Sequence, residues 1–320
     1  MFSTNLISFL LALSPIATLA APHPPPEITS YTLPGNNTRP EGVGRQPNSP
    51  YFYSGSVTTG SLYRGDIYTP EIEVFIPNTP STCLAGIKID DQDRLYAAGC
   101  ASGSVFVYDV NTRDLLYTFT VTYSGGFLND LTIADDGTVY ISDSYRPYLL
   151  YITPDQLAAE ETEQELKVYT RLDSVIPYTN AGDGVHIGNG LVVTKDQEFV
   201  ILGSWEGRAI YRISLDDSKE ISPIDLGGKT VGKVDGLLLR GKTLYSVNSD
   251  WDIGLFIDVI EIVYPYLEAT PVGTLTSDLL YGPATAAFDG DDLLVTNFQG
   301  NLPNPHLPFD IVRVPLCQKA

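Results

Sequence analysis

The 320-residue chain is predicted to be an all-β protein, a six-bladed β-propeller of four-stranded antiparallel blades, on three observations. The first is the segment 127–151, FLNDLTIADDGTVYISDSYRPYLLY. Leu131 and Ile133, then Val139 and Ile141, alternate with period 2 on either side of an Asp135-Asp136-Gly137 turn, and a third strand follows a short loop. The second is recurrence. LAGIKIDDQDRLYAAG from Leu84, NGLVVTKDQEFVILGS from Asn189, DGLLLRGKTLYSVNS from Asp235 and ATAAFDGDDLLVTNF from Ala284 repeat the same hairpin, with a weaker copy, EGVGRQPNSPYFYSGS, from Glu41. A repeat of roughly 40 to 60 residues carrying four strands at a time is a propeller signature. The third is composition: Tyr, Val, Ile and Thr are plentiful, turns carry Gly and Asp, and few segments have helical period.

Taken in order, residues 1–20 read as a signal peptide. They hold no charged side chain, and an apolar core at 6–13 precedes Thr18-Leu19-Ala20, with small residues at −3 and −1. The segment is too short to span a bilayer stably and runs into prolines, so a secreted, extracellular protein is expected rather than a membrane-anchored one. Residues 21–39 form a Pro-rich linker whose strand-like stretch 27–33 is expected to close the last blade beside 311–316. Residues 40–320 form one propeller domain. Blades are expected to start near Pro40, Leu84, Leu128, Asn189, Val234 and Pro283. The insertion 155–165, rich in Ala, Glu and Gln, is expected to form a short surface helix. The apolar run 253–266 is expected to interrupt blade five, and the proline-rich loop 299–309, with His306, to lie over one face.

A formal charge of −20 and a pI near 4.3 argue against nucleic-acid or anionic-membrane partners, which need Lys and Arg clusters. A monomer acting on a small molecule is expected. Asn36-Asn37-Thr38 is an N-glycosylation acceptor at Asn36, relevant only on the secretory route. Three cysteines permit one internal disulfide. Cys83 and Cys100 flank the blade-two hairpin and are the candidates, with Cys317 free or paired elsewhere; three reduced core thiols are the alternative.

The positions just before each innermost strand converge on a propeller's axis. They read Glu41, Asn129-Asp130, Asn189 and Asp235 in four blades, all oxygen donors, and Ala85-Gly86 and Pro283-Ala284 in the other two. Converging carboxylates and amides suit a hard cation, although Asn-Gly and Asp-Gly also serve as plain turn residues. The motifs PEG, LND, NGL and DGL, in this order at these blade starts, resemble the senescence-marker-protein and gluconolactonase family of six-bladed propellers over roughly residues 40–316. The resemblance implies one divalent cation, Ca²⁺ first and Mg²⁺ or Zn²⁺ as alternatives, held by Glu41, Asn189 and Asp235, with Asn129 and Asp130 beside metal or substrate. It implies a hydrolase of lactones, esters or related compounds, with Asp235 or Asp130 as the base, or Asp235 as a nucleophile. His186, three residues before Asn189, is a further candidate base, and Asp183 a weaker one in the same turn.

The chain departs from the family at Phe127, where sugar-lactonase members carry an Arg two residues before the Asn, and at Leu131, where a Gly is usual. An apolar pocket is therefore expected, with Phe127 and Trp205 among its walls and Tyr145, Trp251 and Phe298 in similar loops; inter-blade packing is the other use of such residues. No GxSxG, HExxH or phosphate-binding Gly-rich motif is present. A non-catalytic binding propeller with a structural cation, and a metal-assisted isomerase or cyclase, are the alternatives to a hydrolase.

Overall fold

The computed structural model describes residues 27–178, 187–300 and 302–317. Six sheets of antiparallel strands make six blades, innermost strand first. Blade one runs Pro40–Arg45, Tyr51–Ser56, Leu62–Asp66 and Glu73–Ile76. Blade two runs Ile87–Ile89, Arg94–Ala98, Ser104–Asp109 and Leu115–Thr120. Blade three is Leu128–Ile133, Val139–Asp143, Tyr148–Ile152 and Lys167–Arg171, and blade four Leu191–Val193, Phe199–Ser204, Ala209–Ser214 and Ile221–Pro223. Blade five is Val234–Arg240, Thr243–Asn248, Phe256–Ile262 and Ala269–Leu275. Blade six takes Pro283–Asp289, Asp292–Asn297 and Asp310–Pro315 from the C-terminal end of the chain, and its outer strand, Ser30–Thr32, from the N-terminal end. Tyr31 pairs with Ile311 in that outer ladder, which joins the two ends and leaves the ring without an open blade.

Period-2 alternation works here by feeding two cores at once. Val139 and Ile141 pack toward blade two, while Tyr140 between them packs toward blade four. Six apolar clusters result, one between each pair of neighbouring blades, including one between blades six and one that holds Tyr31, Phe52, Leu294 and Phe309. Each fully buried Leu, Ile or Val in them contributes about 1.5–3 kcal/mol.

Three sequence expectations change. The insertion after blade three makes one helical turn only, Pro154–Leu157, started by Thr153 as N-cap and Pro154 at the first position. Its remainder supplies the strand Glu163–Glu165, which adds in parallel to the outer edge of blade two. Side chains override helical propensity here: Gln156 donates to the Glu165 carbonyl at 2.9 Å and Gln164 to the Gln156 carbonyl at 2.8 Å. The run 253–266 does not interrupt blade five, because it contains the third strand, with Asp258 opposite Ser246 and Thr274. Blade six starts at Pro283 as expected, but its axial pair moves by one residue: Pro283 pairs with Asn297 as Pro40 does with Ser56 and Val234 with Asn248, which puts Ala284 and Thr285, not Pro283 and Ala284, at the register of Glu41-Gly42 and Asp235-Gly236.

The glycines after the axial donors are not turn residues. A Cβ on Gly42 would sit 2.2 Å from the Ala85 carbonyl oxygen of blade two, and one on Gly190 equally close to the Asp235 carbonyl of blade five. They let neighbouring inner strands touch near the axis, where the Gly190 N–H donates to the Asp235 carbonyl at 2.6 Å. Among the described residues, no helix is long and apolar enough to cross a membrane.

Candidate functional site

One end of the axis opens into a cavity of about 450 Å³. Its floor holds Glu41, Asn129, Asn189 and Asp235, from blades one, three, four and five, and blades two and six present Ala85 and Pro283. All four polar floor residues are buried. Bulges at the start of the inner strands hold Glu41, Asn129 and Asp235, while Asn189 precedes an unbulged strand; around Glu41, hydroxyls of second strands fix the backbone, with Ser54 donating to the Gly42 carbonyl and Thr296 to that of Glu41, both at 2.7 Å.

Asp235 is the best-held carboxyl. Asn189 Nδ2 donates to its Oδ1 at 3.0 Å. The Ser249 hydroxyl also bonds to it, and the Trp205 indole N–H in turn donates to Ser249 Oγ at 2.8 Å. Burial pushes Asp235 up to about 7 and the charge of Asp130 adds to the rise, while the bonds from Ser249 and Asn189 pull the other way. Glu41 is driven well above the usual carboxylate range, first by burial and then by the charges of Asp235 and Asp130, with Lys88 opposing. Two carboxyl groups thus share a dry floor that disfavours ionising both.

Asn129 donates to Ser144 Oγ at 2.9 Å, and Ser144 to the Gly188 carbonyl at 2.7 Å, which leaves Asn129 Oδ1 buried with no hydrogen-bond partner among the described residues. Asp130 lies outside the cavity lining. Its Oδ1 accepts from the Leu131 N–H at 2.8 Å and lies 3.4 Å from Lys88 Nζ, and its Oδ2 is also buried without a partner. Blade two therefore offers no oxygen donor at the floor but does supply a cation beside Asp130.

The walls are apolar. Phe127 and Tyr145 pack ring to ring with centroids 5.0 Å apart, and Trp205, Trp251 and Phe298 complete the aromatic surface. Lys233 Nζ sits 4.0 Å from the centre of the Trp205 ring. Cys83 lines the cavity and forms a disulfide with Cys100, whereas Cys317 is free and exposed. Asn36 is exposed. His186 and Asp183 lie outside the described residues. Reading the sequence missed Ser249 and Lys88. Ser249 could have been noticed as a small polar residue at the blade-five phase where blade four carries Trp205; nothing local marks Lys88.

Among the described residues, no three His, Cys, Asp or Glu side chains group as a metal cluster. Any cation at the floor would rest on a mixed set of two carboxylates and two amides. Such oxygen donors match Ca²⁺ or Mg²⁺ rather than Zn²⁺, and the partnerless Asn129 Oδ1 fits that role.

No protein-family model matches the chain, and no curated protein matches it. Among solved structures, it is similar to a gluconolactonase-type target of a structural-genomics consortium, with 15% identity, a TM-score of 0.61, and coverage of 91% of this chain and 93% of that one. It is also similar to a gluconolactonase from Xanthomonas campestris, with 15% identity, a TM-score of 0.60, and coverage of 88% and 86%. Virginiamycin B lyase from Staphylococcus aureus matches at 11% identity and a TM-score of 0.57, with coverage of 90% and 98%. At these identities the likeness is one of fold: a gluconolactonase-like six-bladed propeller.

Proposed function

We propose that the protein is a secreted, divalent-cation-dependent hydrolase of a small-molecule lactone or ester. The observation that carries this reading is the convergence of Glu41, Asn129, Asn189 and Asp235 on one buried floor, with Asn129 Oδ1 lacking a protein partner. These four side chains would hold the cation, Ca²⁺ by preference. When bound, it supplies Lewis-acid polarisation of a carbonyl oxygen and a lowered pKa for water.

The chain's own residues do the rest. Asp235, oriented by Asn189 and Ser249, accepts a proton from water as the water oxygen bonds to the acyl carbon. The acyl C–O bond breaks, and the departing alkoxide takes that proton, giving a hydroxy acid or an acid and an alcohol. Asp235 is favoured over Asp130 because it lines the cavity, whereas Asp130 is engaged with Lys88 below it. Secretion agrees with the Cys83–Cys100 disulfide and with an exposed Asn36 in its glycosylation motif.

The test is metal content and turnover measured together, on the native protein and on Glu41→Ala, across a panel of lactones and esters. About one cation per chain and measurable turnover, both lost in the variant, are expected. Stoichiometric metal with no turnover across the panel would overturn hydrolysis in favour of a binding propeller. Absence of metal from both proteins would overturn the cation site.

A further inference from the structure

The cavity has two layers. Above the polar floor, each of the six blades places one side chain at the mouth: Val57, Cys83, Tyr145, Trp205, Trp251 and Phe298. Five of them come from the loop after the second strand of the blade, one to three residues beyond its end. In blade two that loop holds Cys100, and the disulfide puts its partner Cys83 into the lining instead. The result is a largely apolar collar: among the described residues the lining holds no Lys, Arg or His, and its charged groups are Glu41 and Asp235 at the floor.

Trp251 shows that the collar is built for contact. It is 50% exposed, an unusual position for the larger of the aromatic side chains, yet it lines the mouth. Gly282 below it has φ +126, and a Cβ there would sit 2.9 Å from the Trp251 ring. The same Cβ would sit 2.7 Å from the Gln299 Cα, so glycine at 282 lets both the Gln299 backbone and the indole approach.

We propose that the collar selects a neutral ligand with one carbonyl end and a flat aromatic body, a lactone or ester fused to or carrying an aromatic ring, over polyhydroxylated lactones. The proposal rests on the hydrolase reading for the reaction but not for the binding preference. A sugar-like ring would surrender water at each hydroxyl to a wall that offers few hydrogen-bond partners. An aromatic body instead gains ring contacts on several sides while its carbonyl reaches the floor. Anionic ligands are disfavoured by the net charge of −20. The volume of about 450 Å³ admits a compact ring system and excludes a polymer chain.

Binding can be read without turnover, using lactams in place of lactones. The chain has two tryptophans, Trp205 and Trp251, and both line the cavity, so indole fluorescence reports occupancy directly. Titrations of the full chain, with Ca²⁺ and with chelator, would compare 3,4-dihydro-2-quinolinone with gluconolactam, and calorimetry would follow the variants. The aromatic lactam should bind at least about tenfold more tightly, and Trp251→Ala and Phe298→Ala should each weaken it about fivefold while leaving gluconolactam unchanged. Equal or tighter binding of gluconolactam, or collar variants that leave the aromatic lactam unaffected, would overturn the proposal. Selective lactam binding without turnover of dihydrocoumarin would uphold the ligand class and sink hydrolysis. Turnover of lactones with no aromatic preference would do the reverse.

Discussion

The floor and the collar of the cavity come from the same blades but from different backbone, and they differ in how tightly each is determined. Floor residues sit at the starts of inner strands, bulged in blades one, three and five, where neighbouring backbones touch. Collar residues other than Cys83 sit in loops after second strands, at positions that differ from blade to blade. On the proposed reading, chemistry belongs to the floor and selectivity to the collar. Trp205 joins the two, since its ring is part of the collar and its N–H holds Ser249 against Asp235.

The comparison is most severely tested at Asp235. Asp235→Asn keeps the shape but removes both the base and one carboxylate of the proposed cation-binding set, and turnover should fall by about a thousandfold or more. Affinity for an aromatic lactam should change little, because that is set by the collar. A parallel loss of lactam binding would show that floor and collar do not act separately.

A buried carboxyl outside the site provides the next test. Burial pushes Asp258 up to about 6, with a weak opposing bond from the Gly232 amide. A carboxyl raised in the folded state binds more protons folded than unfolded. Its contribution to stability is therefore fully present below the unfolded pKa and is lost as the pH rises through about 6. Between about pH 4 and about pH 7 the native protein should lose roughly 2–3 kcal/mol that Asp258→Asn keeps, measured by urea unfolding. Turnover of the variant should be unchanged, since Asp258 is no part of the cavity lining. A fall in turnover would mean that the floor depends on buried charge beyond its own four residues.

The smallest effect is expected where the layers meet. Trp205→Phe retains an aromatic ring in the collar but removes the donor to Ser249, so kcat should drop about three- to tenfold with KM for an aromatic ester nearly unchanged. The reverse pattern, KM rising with kcat constant, would make Trp205 a collar residue alone.

The parts of the site differ in how far they could be read from the residues. Glu41, Asn129, Asn189 and Asp235 stand at one register of a repeated strand, and a repeat makes register visible along the chain. The chain around residue 284 misleads by one position because Ala284 carries no oxygen donor to mark the register that Glu41 and Asp235 mark in blades with the same bulge. The helix expected over 155–165 shrinks to one turn because Gln156 and Gln164 bond to backbone, a contact that propensity does not encode. Asp258, which reads as an oddity in an apolar run, is an inward position of an ordinary third strand.

By itself the sequence determined the propeller, because alternation with period 2, repeated six times, leaves each sheet with two apolar faces that only neighbouring sheets can cover. It also determined which residue types reach the axis. The tertiary structure alone decided that Asp130 meets Lys88 rather than the cavity, that Ser249 and Trp205 brace Asp235, and that six loops close into one apolar collar. Those contacts join residues of different blades, and their distances are set by how the blades pack around the ring.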